Sequence, residues 1–105
     1  MITSNHFTDS EGRPAGGTTY GVGFAIGWQN GPLVDSETGE RRAPTGAFVE
    51  NVIEAVVDRI EYYQASQFAN SYNAKAVHHL REALACLNAR TKDREDRGVE
   101  GTHQQ

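Results

Sequence analysis

The sequence predicts an α+β chain, with a short N-terminal β ribbon followed by an antiparallel two-helix hairpin, and it predicts that copies of the chain assemble. Three patterns carry this expectation. In Ala47–Ser66 the residues Val49, Val52, Ile53, Val56, Val57, Ile60 and Tyr63 recur three and four apart, along one helical face. From Asn73 to Arg90, Val77, Leu80, Leu84 and Leu87 repeat the pattern, with Ala76, Ala83 and Cys86 at their sides. Upstream, Thr19–Gln29 alternates bulky and small residues with the period of an extended strand.

Taken in order, residues 1–18 are polar, with only Ile2 and Phe7 as sizeable apolar groups, and read as a mobile arm without a packed element. His6 lies there as an exposed histidine lacking a partner at ligand spacing. Residues 19–43 form the β ribbon and its turns. As one strand, the ribbon would put Tyr20, Val22, Phe24, Ile26 and Trp28 on one side and Gly21, Gly23, Ala25 and Gly27 on the other. A face that bare accepts a close neighbour, either a packed helix or a ligand. The glycines do not open into a helix, so a dinucleotide fingerprint fails on context.

Asn30-Gly31-Pro32 and Asp35–Glu40 are turn signals, and Leu33-Val34 between them suits a short return strand. One or two strands are marginal alone, so the ribbon is expected to pair with strands of neighbouring subunits or lie on the helices. Residues 44–97 form the hairpin. Pro44 holds Ala43 extended, Thr45 is the expected N-cap and Glu50 suits the first turns. The break from Gln67 to Tyr72 is short enough to make the helices antiparallel neighbours. Between Arg90 and Glu100, Arg90, Lys92, Arg94 and Arg97 balance Asp93, Glu95, Asp96 and Glu100, which reads as a solvated, ion-paired helix end. Gly98 is a stop signal, and residues 98–105 follow as an irregular tail with Gln104 and Gln105 frayed.

The apolar stripes are wider than one antiparallel partner covers, with Ile53, Val57 and Ile60 around the edge from Val49, Val52 and Val56, so further copies are expected to cover the remainder. The net charge is −4, from ten Lys plus Arg against fourteen Asp plus Glu, which disfavours a nucleic-acid polymer as partner. Cys86 is the sole cysteine and is expected as a small buried thiol, since one cysteine makes neither a disulfide nor a thiolate cluster. No segment has the length of a membrane span and no secretory signal pattern is present, so a cytosolic location is expected.

Catalytic constellations are missing. His78 and His79, with Glu82 four and three residues on, are adjacent on a helix, about a hundred degrees apart, and cannot share one ion; a partly buried histidine in the hairpin or oligomer seam is expected instead. Ser10, Ser36, Ser66 and Ser71 have no nucleophile-elbow context. No cofactor is implied. A binding protein needs less: an aromatic face for a planar group, a cation for phosphate and an amide for a base edge. Tyr62, Tyr63, Phe68, Tyr72 and Asn73 cluster at the hairpin turn, with Arg90 and Arg94 further along. Asn73 and Arg90 are roughly 25 Å apart at helical rise, so one ligand meets both only across two subunits.

The segments Trp28–Pro32, Gly46–Glu50, Arg59–Gln64, Phe68-Ala69, Asn73-Ala74 and Leu87–Arg94, closed by Arg97-Gly98-Val99-Glu100-Gly101-Thr102-His103, resemble a family of phage proteins. It is the family of anti-Thoeris and anti-CBASS sponges that share a helical-hairpin domain, and the strand region ahead of the hairpin is more similar to the anti-Thoeris branch. The resemblance implies a homo-oligomer, commonly a hexamer, that holds cyclic nucleotide immune signals without cleaving them. It implies cyclic ADP-ribose isomers as ligands, with cyclic di- or trinucleotides in separate pockets in some members. By motif position it gives Tyr63 the stacking role, Asn73 the base contact and Arg90 the phosphate contact, with Arg94 beside it. The rival readings are an oligomeric protein-interaction module anchored by Trp28, Tyr62 and Tyr63, and a cyclic nucleotide hydrolase using His78 and His79.

Overall fold

A computed structural model describes residues 1–35 and 37–104. Its elements are β1 (Ile2–Thr8), β2 (Pro14–Gly21), β3 (Phe24–Trp28), α1 (Val49–Gln64) and α2 (Ser71–Asp96). The fold is α+β, a three-stranded antiparallel sheet in the order β1-β2-β3 followed by two helices. The chain divides into two compact units, Met1–Phe48 with Val99–Gln105, and Val49–Gly98.

In the first unit, the expected arm is instead a β hairpin. Asp9 makes it: its Oδ1 accepts from the N–H groups of Glu11 and Arg13, and its Oδ2 pairs with Arg13 Nε at 2.9 Å. These bonds, the one from the Arg13 N–H above all, hold the Asp9 carboxyl below its ordinary pKa. Strand β1 needs no apolar stripe, and has only Ile2 and Phe7, both exposed, because its order comes from backbone pairing with β2, from Ile2↔Gly21 to Thr8↔Pro14. A backbone ladder leaves little trace in hydrophobicity.

The expected single strand over Thr19–Gln29 is also corrected. The chain reverses at Val22-Gly23, so Gly21 pairs with Phe24 and Tyr20 with Ala25. Gly23 has φ +86°, the left-handed value that glycine supplies at the second central residue of a type II turn. Reversal moves Tyr20 to the face of Ala25 and puts Gly21 on the face of Phe24, whose ring fills the space a Cβ at Gly21 would occupy. The bare face is therefore broken up, with Gly21 covered by the Phe24 ring of its own sheet. A polar pin holds the middle: buried Thr19 accepts from Trp28 Nε1 at 2.8 Å and its Oγ1 lies 3.0 Å from Ser4 Oγ.

The segment after β3 returns to the strand's outer edge. Gln29 N–H donates to the Ala47 carbonyl and Ala47 N–H to that of Gly27, at 3.0 and 2.7 Å. Gln29 Oε1 accepts from the N–H groups of Thr45 and Gly46, and a Cβ at Gly46 would lie 2.6 Å from the Trp28 carbonyl, so only glycine fits. Thr45 Oγ1 accepts from Asn30 N–H, and α1 starts at Val49; Thr45 is thus not the helix cap. The expected return strand at Leu33-Val34 reduces to an isolated bridge, Val34↔Arg41. The tail is tied into this unit as well. Val34 N–H donates to the Gly101 carbonyl, Arg41 clasps Glu100 through two bonds of 2.8 and 3.0 Å, and Gln104 N–H donates to Thr102 Oγ1, so only Gln105, among the residues expected to fray, lies outside the described residues.

In the second unit, α1 and α2 pack as the expected hairpin, with the break at 65–70. On α1 the inward line is Ile53, Val57 and Ile60, and Val57 is only 5 % exposed. Val77, Leu80, Leu84 and Leu87 are the half-buried line of α2. The uncovered aliphatic residues of α1 are Val49 and Val56, at 49 % and 44 % exposure, while Val52 between them is half-buried.

Candidate functional site

The turn end of the hairpin is a polar frame that carries exposed aromatic rings. Asn70 caps α2, its Oδ1 accepting from Asn73 N–H at 2.8 Å, and its own backbone N–H and carbonyl are gripped by the Gln64 amide, both at 3.0 Å. Neither residue stood out in the sequence, although an Asn just before the apolar-periodic run is a readable cap signal. Around this frame Tyr62, Phe68 and Tyr72 are exposed and Tyr63 is 38 % exposed.

Arg59 organises the two tyrosines. Its Nε donates to Tyr63 Oη at 3.1 Å, and its guanidinium carbon lies 5.0 Å from the Tyr62 ring centre and 4.9 Å from that of Tyr63. The hydrogen bond with Tyr63 raises the Arg59 pKa above its ordinary value. The rings meet edge to face, with centroids 6.1 Å apart. Sequence reasoning missed Arg59, whose spacing of three and four to the tyrosines was the available signal.

At the opposite end of α2, Arg90 and Arg94 stand one turn apart but differ in setting. Arg94 is buried, at 9 % exposure, and engaged in interactions of its own. Arg90 is exposed and has no recorded hydrogen bond or ion pair among the described residues, a condition it shares with Lys75. Most other cations are partnered: Arg81 with Glu61 across the two helices, Lys92 with Asp96, Arg97 with Asp93. An unpaired guanidinium on an acidic chain is available for an anion.

The four residues singled out in the sequence therefore fall into two groups within this unit. Tyr63 and Asn73 belong to the turn end; Arg90 and Arg94 belong to the last two turns of α2. Helix α2 runs unbroken between them, so Asn73 and Arg90 stay about 25 Å apart on one chain.

The remaining candidates are corrected or placed. Cys86 is exposed, not buried, because it falls off the seam line. His78 and His79 are exposed on the chain and lie off the hairpin seam, and His78 pairs with Glu82 at 3.2 Å as an ordinary i,i+4 contact. His6 is exposed on β1. Among the described residues no group of three or more His, Cys, Asp or Glu could hold a metal ion, and no helix is long and apolar enough to cross a membrane.

Comparison with known proteins gives this geometry a family. The sequence model described as "Acb2/Tad1, hairpin domain" matches residues 21–92, from the end of β2 to Lys92 on α2. The chain is also similar to "Thoeris anti-defense 1" of Bacillus phage SBSphiJ7, with 40 % identity over 79 residues, 75 % of this chain and 51 % of the relative. It thus spans about half the length of that relative. With β3, the loop that follows it, α1 and α2 as far as Lys92 inside the match, the chain belongs to the Acb2/Tad1 hairpin-domain family.

Proposed function

We propose that this chain is a phage anti-defence protein that binds a cyclic nucleotide immune signal in the host cytoplasm, holds it intact, and so keeps the Thoeris or CBASS effector from being activated. The observation that carries the reading is the 40 % identity, over 79 residues, to a protein named for anti-Thoeris defence. The distribution of polar groups supports it. A sponge needs a ring to stack on, an amide for a base edge and a free cation for phosphate, and no acid or base in reach of a scissile bond. Tyr63, Asn73 and Arg90 fill those roles in the proposal, with Arg94 beside Arg90 as a further contact.

Because Tyr63 and Asn73 lie at one end of the hairpin and Arg90 at the other, the pocket is completed by a second copy. A homo-oligomer, of six copies in the proposal, then offers several equal pockets. Local arginines neutralise two or three phosphates while the assembly keeps its acidic surface. No nucleic-acid polymer, membrane or cofactor enters the scheme. A cyclic ADP-ribose isomer is the proposed ligand, with cyclic di- or trinucleotides as further candidates.

The exposed apolar line of Val49 and Val56 favours one other reading, a hairpin that assembles and docks another protein without a nucleotide. Native mass spectrometry against a panel of cyclic ADP-ribose isomers and cyclic di- and trinucleotides, followed by heat release, separates the two. Stoichiometric uptake with intact ligand recovered is the expected result. An assembly that takes up none of the panel supports the docking module, and ligand recovered cleaved would mean a hydrolase.

A further inference from the structure

The two edges of the sheet differ. The outer edge of β3 is covered by the Gln29–Ala47 and Ala47–Gly27 backbone bonds. The outer edge of β1 has no strand beside it among the described residues, and all of Ile2–Thr8 is exposed. Free N–H and C=O groups along an edge are a template for another strand, and monomers guard such edges with lysine, proline, inward-pointing charge or a bulge. Ile2–His6 has none of these; the irregularity against β2 comes only between His6 and Thr8. The charges of this hairpin, Asp9, Glu11 and Arg13, are confined to its loop. In a chain of net charge −4 that repels its own copies, an uncharged edge is where a second copy can approach.

We infer that β1 pairs antiparallel with β1 of a second copy, centred on Ser4, and that this contact is separate from a helix contact through Val49 and Val56. Centring on Ser4, the middle of the regular window, sets Thr3 opposite Asn5 and Ile2 opposite His6, with neither pair bringing like charges together. So short a ladder covers much less than the about 800 Å² per partner of a standard interface. It is therefore one of two contacts. Two different twofold contacts on one chain close into dihedral assemblies with an even number of copies, of which three dimers is one. The inference rests on the oligomeric reading above and specifies how the copies join.

Native mass spectrometry of Thr3→Glu/Asn5→Glu tests it, because each glutamate would then face another across the twofold. The assembly is expected to fall to dimers, and mixing with Thr3→Lys/Asn5→Lys is expected to restore the wild-type mass through opposite charges. Val56→Asp is expected to break the assembly further, because the short β1 ladder is then the only contact left, and the combination with the glutamate pair to leave monomers. A glutamate variant that keeps the wild-type mass, or a mixture that stays small, overturns the strand contact. A wild-type chain that is itself monomeric overturns the assembly reading instead, so the two failures are distinct.

Discussion

The sheet unit and the hairpin unit are stabilised in different ways. The hairpin rests on a single apolar seam whose residues recur every three or four positions, with Val57 as its buried centre. The sheet unit has no buried aliphatic side chain among the described residues; it is held by backbone ladders, the Ser4–Thr19–Trp28 hydroxyl and indole chain, the Gln29 grip on Thr45 and Gly46, and the Arg41–Glu100 clasp. An apolar seam concentrates stability in few residues, whereas a polar scaffold divides it among many bonds of modest net worth. Damage should therefore be steep in the hairpin and shallow in the sheet.

Adjacent valines give the sharpest contrast. Val57→Asp places an unpaired charge in the seam and should cost roughly 3 kcal/mol or more, enough to remove the cooperative helical melt seen by circular dichroism. Val56→Asp, one residue away and half exposed, should leave that melt nearly unchanged and act on assembly alone. Equal melting of the two variants would mean that the seam has been assigned to the wrong line of α1.

Function should separate from stability at the far end of α2. Arg90→Ala should weaken nucleotide binding by about tenfold to a hundredfold, the loss of a charge-assisted hydrogen bond, and leave melting and assembly as they were. Calorimetric titration giving the wild-type affinity would take Arg90 out of the pocket.

Smaller effects compare single polar bonds in the two units. Asn70→Ala removes the α2 cap and should lower hairpin stability by about 1 kcal/mol. Trp28→Phe removes the indole bond to Thr19 and should cost about 1 kcal/mol, felt in the sheet unit, where amide exchange of β2 would accelerate while that of α2 stays the same. Exchange that rises equally in both units would deny them separate stabilities.

The smallest effect expected is a pH dependence. The guanidinium of Arg42, with the N–H groups of residues 37 and 38, brings the Asp35 carboxyl from 3.8 down to about 2. A depressed carboxyl stabilises the folded state above its unfolded pKa, and that contribution disappears as pH falls from about 4 to about 2. Asp35→Asn should flatten the acid limb of a thermal melt in that window. The pair lies at the surface, with Asp35 half-buried and Arg42 exposed, so the difference should be small, and identical acid limbs would show that the pair adds nothing.

The sequence by itself determined the hairpin, its antiparallel sense and its charge-balanced, polar α2 end, because helical order repeats locally every few residues and Val49–Leu87 carries the repeat in plain view. It also carried, through the segments around Trp28, Arg59 and Asn73, the family to which the chain belongs. Only the tertiary structure decided that residues 1–18 hold a strand hairpin, that Tyr20 and Phe24 face opposite ways, and that the tail returns to Val34 and Arg41. It also decided which apolar line of α1 is buried and which of Arg90 and Arg94 is free. Several of those features depend on partners distant in the chain, as Ser4 is from Thr19, Val34 from Gly101 and Arg41 from Glu100. A contact between distant residues has no period to read, and it exists only once the chain has closed on itself.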